Sequence, residues 1–190
     1  MSADRERLIA LLRERSFRVG DFVLSSGARS RYYVDARTTT THAEGLAVVG
    51  RLGLAALREA GLKPAAVGGL TLGADPVAYA IAHASWIAGD PVNAFTVRKE
   101  PKAHGTGKRV EGCFAAGDEV VVVEDTVTTG GSALKAIQAV EAEGGKVLAV
   151  LALVDREEGG REAIEGAGYP VHTLVRVSEL MAAMGDRSSS

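Results

Sequence analysis

The chain has one cysteine, Cys113, which excludes an intrachain disulfide framework and a cysteine-built zinc site. Neither sign of charge dominates: 22 Lys and Arg against 24 Asp and Glu leave a formal net charge of -2. A broad basic face for nucleic acid is therefore not expected, because such binding needs a polycationic footprint. Apolar runs are short. Asp, Arg, Lys or Gly interrupts each one before the roughly 18 residues of a membrane-spanning helix. The N-terminal MSADRERLIALLRER is charged throughout and lacks the apolar stretch of a signal peptide. Four histidines, with no HxxE or multi-histidine cluster, give no pattern for a metal held by protein side chains. A soluble cytoplasmic protein is the expectation, engaging neither membrane nor nucleic acid.

What the chain has in plenty is glycine. It carries 23 in 190 residues, well above the usual share of about 7%, and with no collagen-like period. Many stand beside threonines and charges, where backbone-built binding loops are to be sought. Hydrophobic residues at 46% place the chain among globular proteins, and 190 residues suit one domain with a sizeable core. Nothing in composition splits residues 1–184, and the tail GDRSSS is expected to fray from 185 onward.

Residues 4–15 read as a short amphipathic helix on Leu8, Ile9, Leu11 and Leu12. Val19–Leu24 and Tyr32–Asp35 read as a hairpin around a Ser/Gly turn. Thr41-His42-Ala43-Glu44 has capping-box spacing ahead of a helix carrying Leu46, Val49, Gly53, Leu54 and Leu57, and Gly61 signals its stop. Strands follow at Ala65–Gly69, Asn93–Arg98, Glu119–Asp125, Lys146–Asp155 and Val171–Val177. Helices are expected between them at about Pro76–Trp86, Ser132–Glu143 and Arg161–Glu165, with a last short helix after Val177. Lys99–Glu111 is too polar to pack. Alternating strands and helices with continuous apolar strands predict an α/β fold, a mainly parallel sheet covered on both faces.

The strongest chemical signal is Val120–Ser132, VVVVEDTVTTGGS. A buried valine strand delivers two acids, Glu124 and Asp125, to its carboxyl end, where parallel sheets bind ligands. Thr126, Val127, Thr128, Thr129, Gly130, Gly131 and Ser132 then open into a helix. Glycines let amides approach an anion, hydroxyls add donors, and the helix start adds partial positive charge, so this is a phosphate cradle. It is neither GxxxxGK[ST] nor GxGxxG. The two acids would repel phosphate but suit the vicinal hydroxyls of a sugar beside a 5'-phosphate. The segment resembles the phosphoribosyl-pyrophosphate (PRPP) signature of type I phosphoribosyltransferases. That resemblance implies a central mainly parallel sheet flanked by helices, with a small N-terminal hood over about residues 1–40 on a core over 41–184. It also implies that Glu124 and Asp125 hold the ribose hydroxyls while residues 126–132 wrap the 5'-phosphate.

Arg98-Lys99-Glu100-Pro101-Lys102-Ala103-His104-Gly105 sets three cations and a histidine beside glycines, which suits a cationic lid over a departing diphosphate. The plain alternative is a charged surface loop. The pattern resembles the loop of one branch, the orotate phosphoribosyltransferases. By that resemblance Arg98 and Lys99 bind diphosphate in their own subunit, while Lys102 and His104 are lent across a homodimer interface. Leu24–Asp35 resembles the same branch's N-terminal LxSGxxSxYY segment. Ser25 then stands where many members carry lysine, and Tyr33 either stacks on a base or simply packs. Gly68–Pro76 matches the pyrophosphate loop without its lysine, leaving backbone amides and Thr71. Asp155-Arg156-Glu157-Glu158-Gly159-Gly160 resembles the orotate-binding segment, where Arg156 would meet a carboxylate with two parallel bonds and Thr128 would be the other orotate contact.

The resemblance, from about Val19 to Gly160, implies transfer of phosphoribose from PRPP to orotate in pyrimidine (UMP) biosynthesis. Diphosphate and orotidine 5'-monophosphate are the products, and Mg²⁺ arrives through the substrate. Lys102, His104 and Asp125 are the residues expected to act on the reacting groups. A purine-type transferase would share the cradle but has no use for Arg156 or RKEPKAHG. A ligand-sensing regulator would need a nucleic-acid surface that the sequence does not offer. Cys113 is expected to be a buried or half-exposed structural thiol.

Overall fold

The computed structural model describes residues 2–23, 29–100 and 108–185. Ser2 opens helix α1 (Ala3–Leu11) by accepting the Arg5 N–H on its hydroxyl at 3.3 Å. The chain then widens into one π turn over Leu12–Ser16, and Leu8, Leu11 and Leu12 are fully buried. Strands β1 (Phe17–Val23) and β2 (Arg29–Val34) form the expected antiparallel ribbon, with Phe17 opposite Val34 and Val19 opposite Tyr32. The short helix α2 (Arg37–Thr40) and the long α3 (Ala43–Glu59) follow.

The expected capping box does not form. Thr41 Oγ1 donates to the Arg37 carbonyl at 2.6 Å, and Glu44 is taken by Arg7 Nε and Nη2 at 2.6 and 2.7 Å. A two-point pair to α1 outcompetes the local cap, so His42 stands at the N-cap with no side-chain hydrogen bond to the helix.

The remaining elements are β3 (Ala66–Leu70), α4 (Ala74–Ile87), β4 (Asn93–Val97), β5 (Val110–Gly112), β6 (Glu119–Val127), α5 (Gly131–Ala142), β7 (Lys146–Asp155), α6 (Gly160–Gly166), β8 (Val171–Arg176) and α7 (Val177–Gly185). Strands β3 to β8 make one sheet in the order β5-β4-β3-β6-β7-β8, parallel throughout except where β5 runs against β4. Strand β5 overlaps the end of the Lys99–Glu111 stretch read as too polar to pack. Three residues pairing along one edge suffice there. Cys113, just beyond it, is exposed and not the buried or half-exposed thiol expected.

The valines of β6 show why the sheet must be covered twice. Val121 and Val123 enter one core with Leu8, Val49, Ile81 and Leu151, while Val120 and Val122 enter the other with Phe95, Ile137, Val140 and Ile164. Burial of each contributes roughly 1.5–3 kcal/mol. From β3 the chain steps outward to β4 and β5, then returns across to β6 and continues through β7 to β8. The order therefore reverses between β3 and β6, and the loops leaving their carboxyl ends must part. A crevice at that point follows from the topology.

Candidate active site

The crevice is there, a cleft of about 340 Å³. Its floor comes from the end of β6 with Glu124, Asp125, Thr126 and Thr128, plus Ser132 from α5. One wall is Leu70–Gly73 after β3; another is Tyr33–Arg37 after β2; Lys99 and Arg156 complete it. Beside it lies a smaller hollow of about 60 Å³ lined by residues 126–133 and Glu124. Its lining is the segment read from the sequence as a phosphate cradle. Gly130 caps α5 in the left-handed conformation (φ 81°), and no side chain occupies the first amides of the helix. A β-carbon at Gly130 would lie 2.8 Å from the Gly160 carbonyl, so the turn tolerates nothing larger. The hollow thus presents open N–H groups at a helix start, the arrangement that favours an anion.

The two acids differ in their surroundings. Glu124 is 6% exposed, and its Oε2 is buried without a hydrogen-bond partner. Burial, with the Asp125 charge next to it, pushes its carboxyl up to about 9. Burial raises Asp125 as well, but a hydrogen bond with Glu124, the Thr126 N–H at 2.8 Å and the positive charge of Arg37 oppose that rise. Gly73 is where the β3 loop closes on Asp125: a β-carbon there would lie 2.5–2.7 Å from all three carboxyl atoms. The pair offers carboxyl oxygens that can accept hydrogen bonds from the hydroxyls of a diol.

Arg156 is 7% exposed, and its guanidinium lies over the Tyr32 ring, 5.0 Å from the centroid. The Tyr32 hydroxyl donates toward the Arg156 carbonyl at 3.1 Å and Glu158 Oε1 at 2.8 Å. A buried cation is thereby delivered to the same cleft as the cradle.

Over 181 residues the chain is 49% identical to an Aquifex aeolicus orotate phosphoribosyltransferase, spanning 94% of this chain and 98% of that one. A Mycobacterium avium orotate phosphoribosyltransferase is 48% identical over 92% of this chain and 95% of its own. The chain belongs to the orotate phosphoribosyltransferase family. No family model matches it. Among solved structures, the Mycobacterium tuberculosis orotate phosphoribosyltransferase bound to 5-phospho-alpha-D-ribosyl 1-diphosphate superposes with a TM-score of 0.79 at 44% identity, covering 93% of this chain and 98% of that one. The same enzyme with Fe(III) dicitrate gives 0.83 at 46% identity, with the same coverage. The fold is accordingly that of the type I phosphoribosyltransferases.

Most residues expected to serve an orotate phosphoribosyltransferase converge here. Glu124, Asp125, Thr126, Thr128, Ser132, Thr71, Lys99, Tyr33 and Arg156 line the cleft, and Val127, Thr129, Gly130 and Gly131 line the cradle. Arg98 does not line it. Its Nη1 lies 3.3 Å from Glu111 Oε1 on β5, and its carbonyl receives Nε and Nη2 of Arg109. Ser25, Lys102 and His104 lie outside the described residues. Tyr33 packs its ring on Phe22 at 5.7 Å, as the plain alternative expected, and it also lines the cleft.

Sequence reasoning missed three members of the site. Tyr32 was passed over for its neighbour, although strand alternation puts the two on opposite faces. Asp35 and Arg37 form a wall of the cleft through a two-point pair at 2.8 and 2.9 Å. Their D-x-R spacing was the available signal.

Proposed function

We infer that this chain transfers the phosphoribosyl group of PRPP to orotate, giving orotidine 5'-monophosphate and diphosphate, a step of pyrimidine biosynthesis. The observation that carries this reading is the meeting of an open anion cradle and a buried arginine in one cleft at the β3–β6 crossover. The cradle seats the 5'-phosphate. Glu124 and Asp125 accept from the ribose hydroxyls, and Arg156 with Thr128 orients the base through its carboxylate. The ring nitrogen then forms a bond to C1 of the ribose as the bond from C1 to the diphosphate oxygen breaks. Positive charge grows on the sugar and negative charge on the leaving oxygen, so preorganised donors supply most of the catalysis. Asp125, facing the sugar, is placed to take up the proton that orotate gives up.

Lys99, with Thr71 and the amides around it, borders the place for the diphosphate. Lys102 and His104 supply its leaving-group contacts in this reading, and Arg98 joins them once it parts from Glu111. No group of three or more His, Cys, Asp or Glu is gathered to hold a metal among the described residues. In this reading Mg²⁺ comes in on the diphosphate oxygens, where it would neutralise leaving-group charge. A homodimer with active sites shared across its interface completes the reading. Its support is the RKEPKAHG pattern together with large apolar residues left exposed on the loop after β3 and along α4: Leu72 at 71%, Tyr79 at 53% and Trp86 at 75%. A hood over residues 1–40 on a core over 41–184 belongs to the same proposal. So does a cytoplasmic location; no helix among the described residues is long and apolar enough to cross a membrane.

The test is an absorbance assay of purified protein with orotate, PRPP and Mg²⁺, repeated with uracil, hypoxanthine and adenine. Loss of orotate absorbance that requires all three components is the expected result. Turnover of another base with silence toward orotate would overturn the assignment of Arg156.

A further inference from the structure

Several arginines among the described residues face carboxylates, and three of them do so through the same edge. Arg7 meets Glu44, Arg51 meets Asp4 and Arg37 meets Asp35, each through Nε and Nη2 together at 2.6–2.9 Å. That edge of the guanidinium is the one a carboxylate fills with two parallel bonds. Arg156 is different. Its Nη2 lies 2.7 Å from Glu158 Oε1, yet Nε and Nη2 are both buried with no aligned acceptor. The contact is close in distance but off the N–H directions. Glu158 therefore covers the edge without satisfying it, and a buried donor left unmade is costly.

The backbone under Glu158 is fixed while its side chain is not. Glu157 stands in the left-handed conformation at φ 57°, with its N–H on Asp155 Oδ1 at 2.8 Å and its own carboxylate accepting the Ser178 N–H at 2.8 Å. Gly159, also left-handed, starts α6. The Glu158 side chain is one-third exposed and, among the described residues, reaches back to Tyr32 and Arg156. Rotation about its own side-chain bonds would carry it into solvent with no change in the turn.

We propose that Glu158 is an internal stand-in for the substrate carboxylate: it sits on Arg156 when the base site is empty and is displaced when a carboxylate-bearing base takes the Nε–Nη2 edge. This rests on the orotate reading above and adds a specificity-determining residue to it. A base carrying a carboxylate gains two aligned bonds and releases Glu158 to water. A base without one leaves Arg156 covered by Glu158 and gains neither. The stand-in also keeps a buried cation from being bare between turnovers. Its cost is competition, which weakens orotate binding.

Glu158→Gln tests this, since the amide oxygen still accepts from Tyr32 but carries no charge to compete. The expected result is an orotate KM lower by roughly fivefold, the scale of one partly exposed ion pair, with the PRPP KM unchanged. The inhibition constant of uracil, measured as a competitor of orotate, should stay where it is. Tighter orotate binding is an outcome that loss of a structural support would not give. An orotate KM that rises or stays constant would show that Glu158 holds Arg156 in place and does not compete for it, and the proposal would fall. Equal tightening of orotate and uracil would remove the carboxylate from the argument and also overturn it. Failure of the parent protein to turn over or bind orotate at all would instead remove the functional reading, and this proposal with it.

Discussion

Glu124 carries a burden at the scale of a single residue. It is buried beside a second acid, so the folded protein holds its proton to about pH 9, whereas the unfolded chain releases it near 4.5. Between those values the folded state binds more protons, and stability must fall as pH rises. Glu124→Gln removes that liability. Its Tm in the absence of substrate should exceed that of the parent by roughly 5 °C at pH 8, the gap closing toward pH 5. The same variant keeps one acceptor oxygen for the ribose but cannot become a carboxylate when the diol binds, and the PRPP KM should rise about tenfold. Thermal scans at the two pH values and one kinetic titration check both halves; a gap independent of pH would deny the buried proton. Site residues of this kind are legible in sequence only through their neighbours. Glu124 and Asp125 were readable because four valines and a Thr/Gly loop bracket them. Tyr32, Asp35 and Arg37 sit in a short ribbon and its exit turn, where polar and aromatic residues are ordinary, and only their meeting with β6 across the cleft gives them a role. The displacement of Glu158 was equally hidden, because it depends on how a guanidinium is approached and not on which residue approaches it.

At the scale of elements, the turn from β6 into α5 governs the cradle, and Gly130 governs the turn. Gly130→Ala must force a left-handed residue to carry a β-carbon and press it to 2.8 Å from the Gly160 carbonyl and 3.0 Å from Ile164. A loss of about 1–3 kcal/mol in denaturant unfolding is expected. PRPP affinity should fall more than orotate affinity, because the amides of the cradle move with the turn. Unchanged PRPP affinity would detach the hollow from the phosphate. Strand–helix alternation was plain from the sequence at this scale because buried strands such as 120–123 and 149–154 are nearly pure apolar runs. Two elements were misjudged for the same reason, competition from distant partners. The box at 41–44 loses Glu44 to Arg7, and the three residues of β5 gain a strand because β4 offers a free edge.

At the scale of the whole molecule, the proposed sharing of sites between subunits has a test that needs no structure of a dimer. Lys102→Ala and Arg156→Ala should each abolish most turnover, by roughly 10²-fold or more. Mixed and allowed to exchange subunits, the two should regain up to a quarter of the parent rate per site, since one hybrid site inherits Arg156 from one chain and Lys102 from the other. Absence of recovery, with exchange verified by a tagged subunit, would confine each site to its own chain.

The pairing of β4 with β5 bears on that exchange through simple geometry. The Arg98 N–H donates to the Arg109 carbonyl at 2.8 Å, the Arg109 side chain grips the carbonyls of Arg98 and Lys99, and Glu143 accepts the N–H groups of Arg109 and Val110. The connecting segment thus leaves and re-enters the sheet at neighbouring points, like a cord tied at both ends to one post. In the proposed homodimer, whatever this segment lends to a neighbour is therefore moored at the β4–β5 edge of its own subunit, and cutting the Glu143 tie would loosen that mooring.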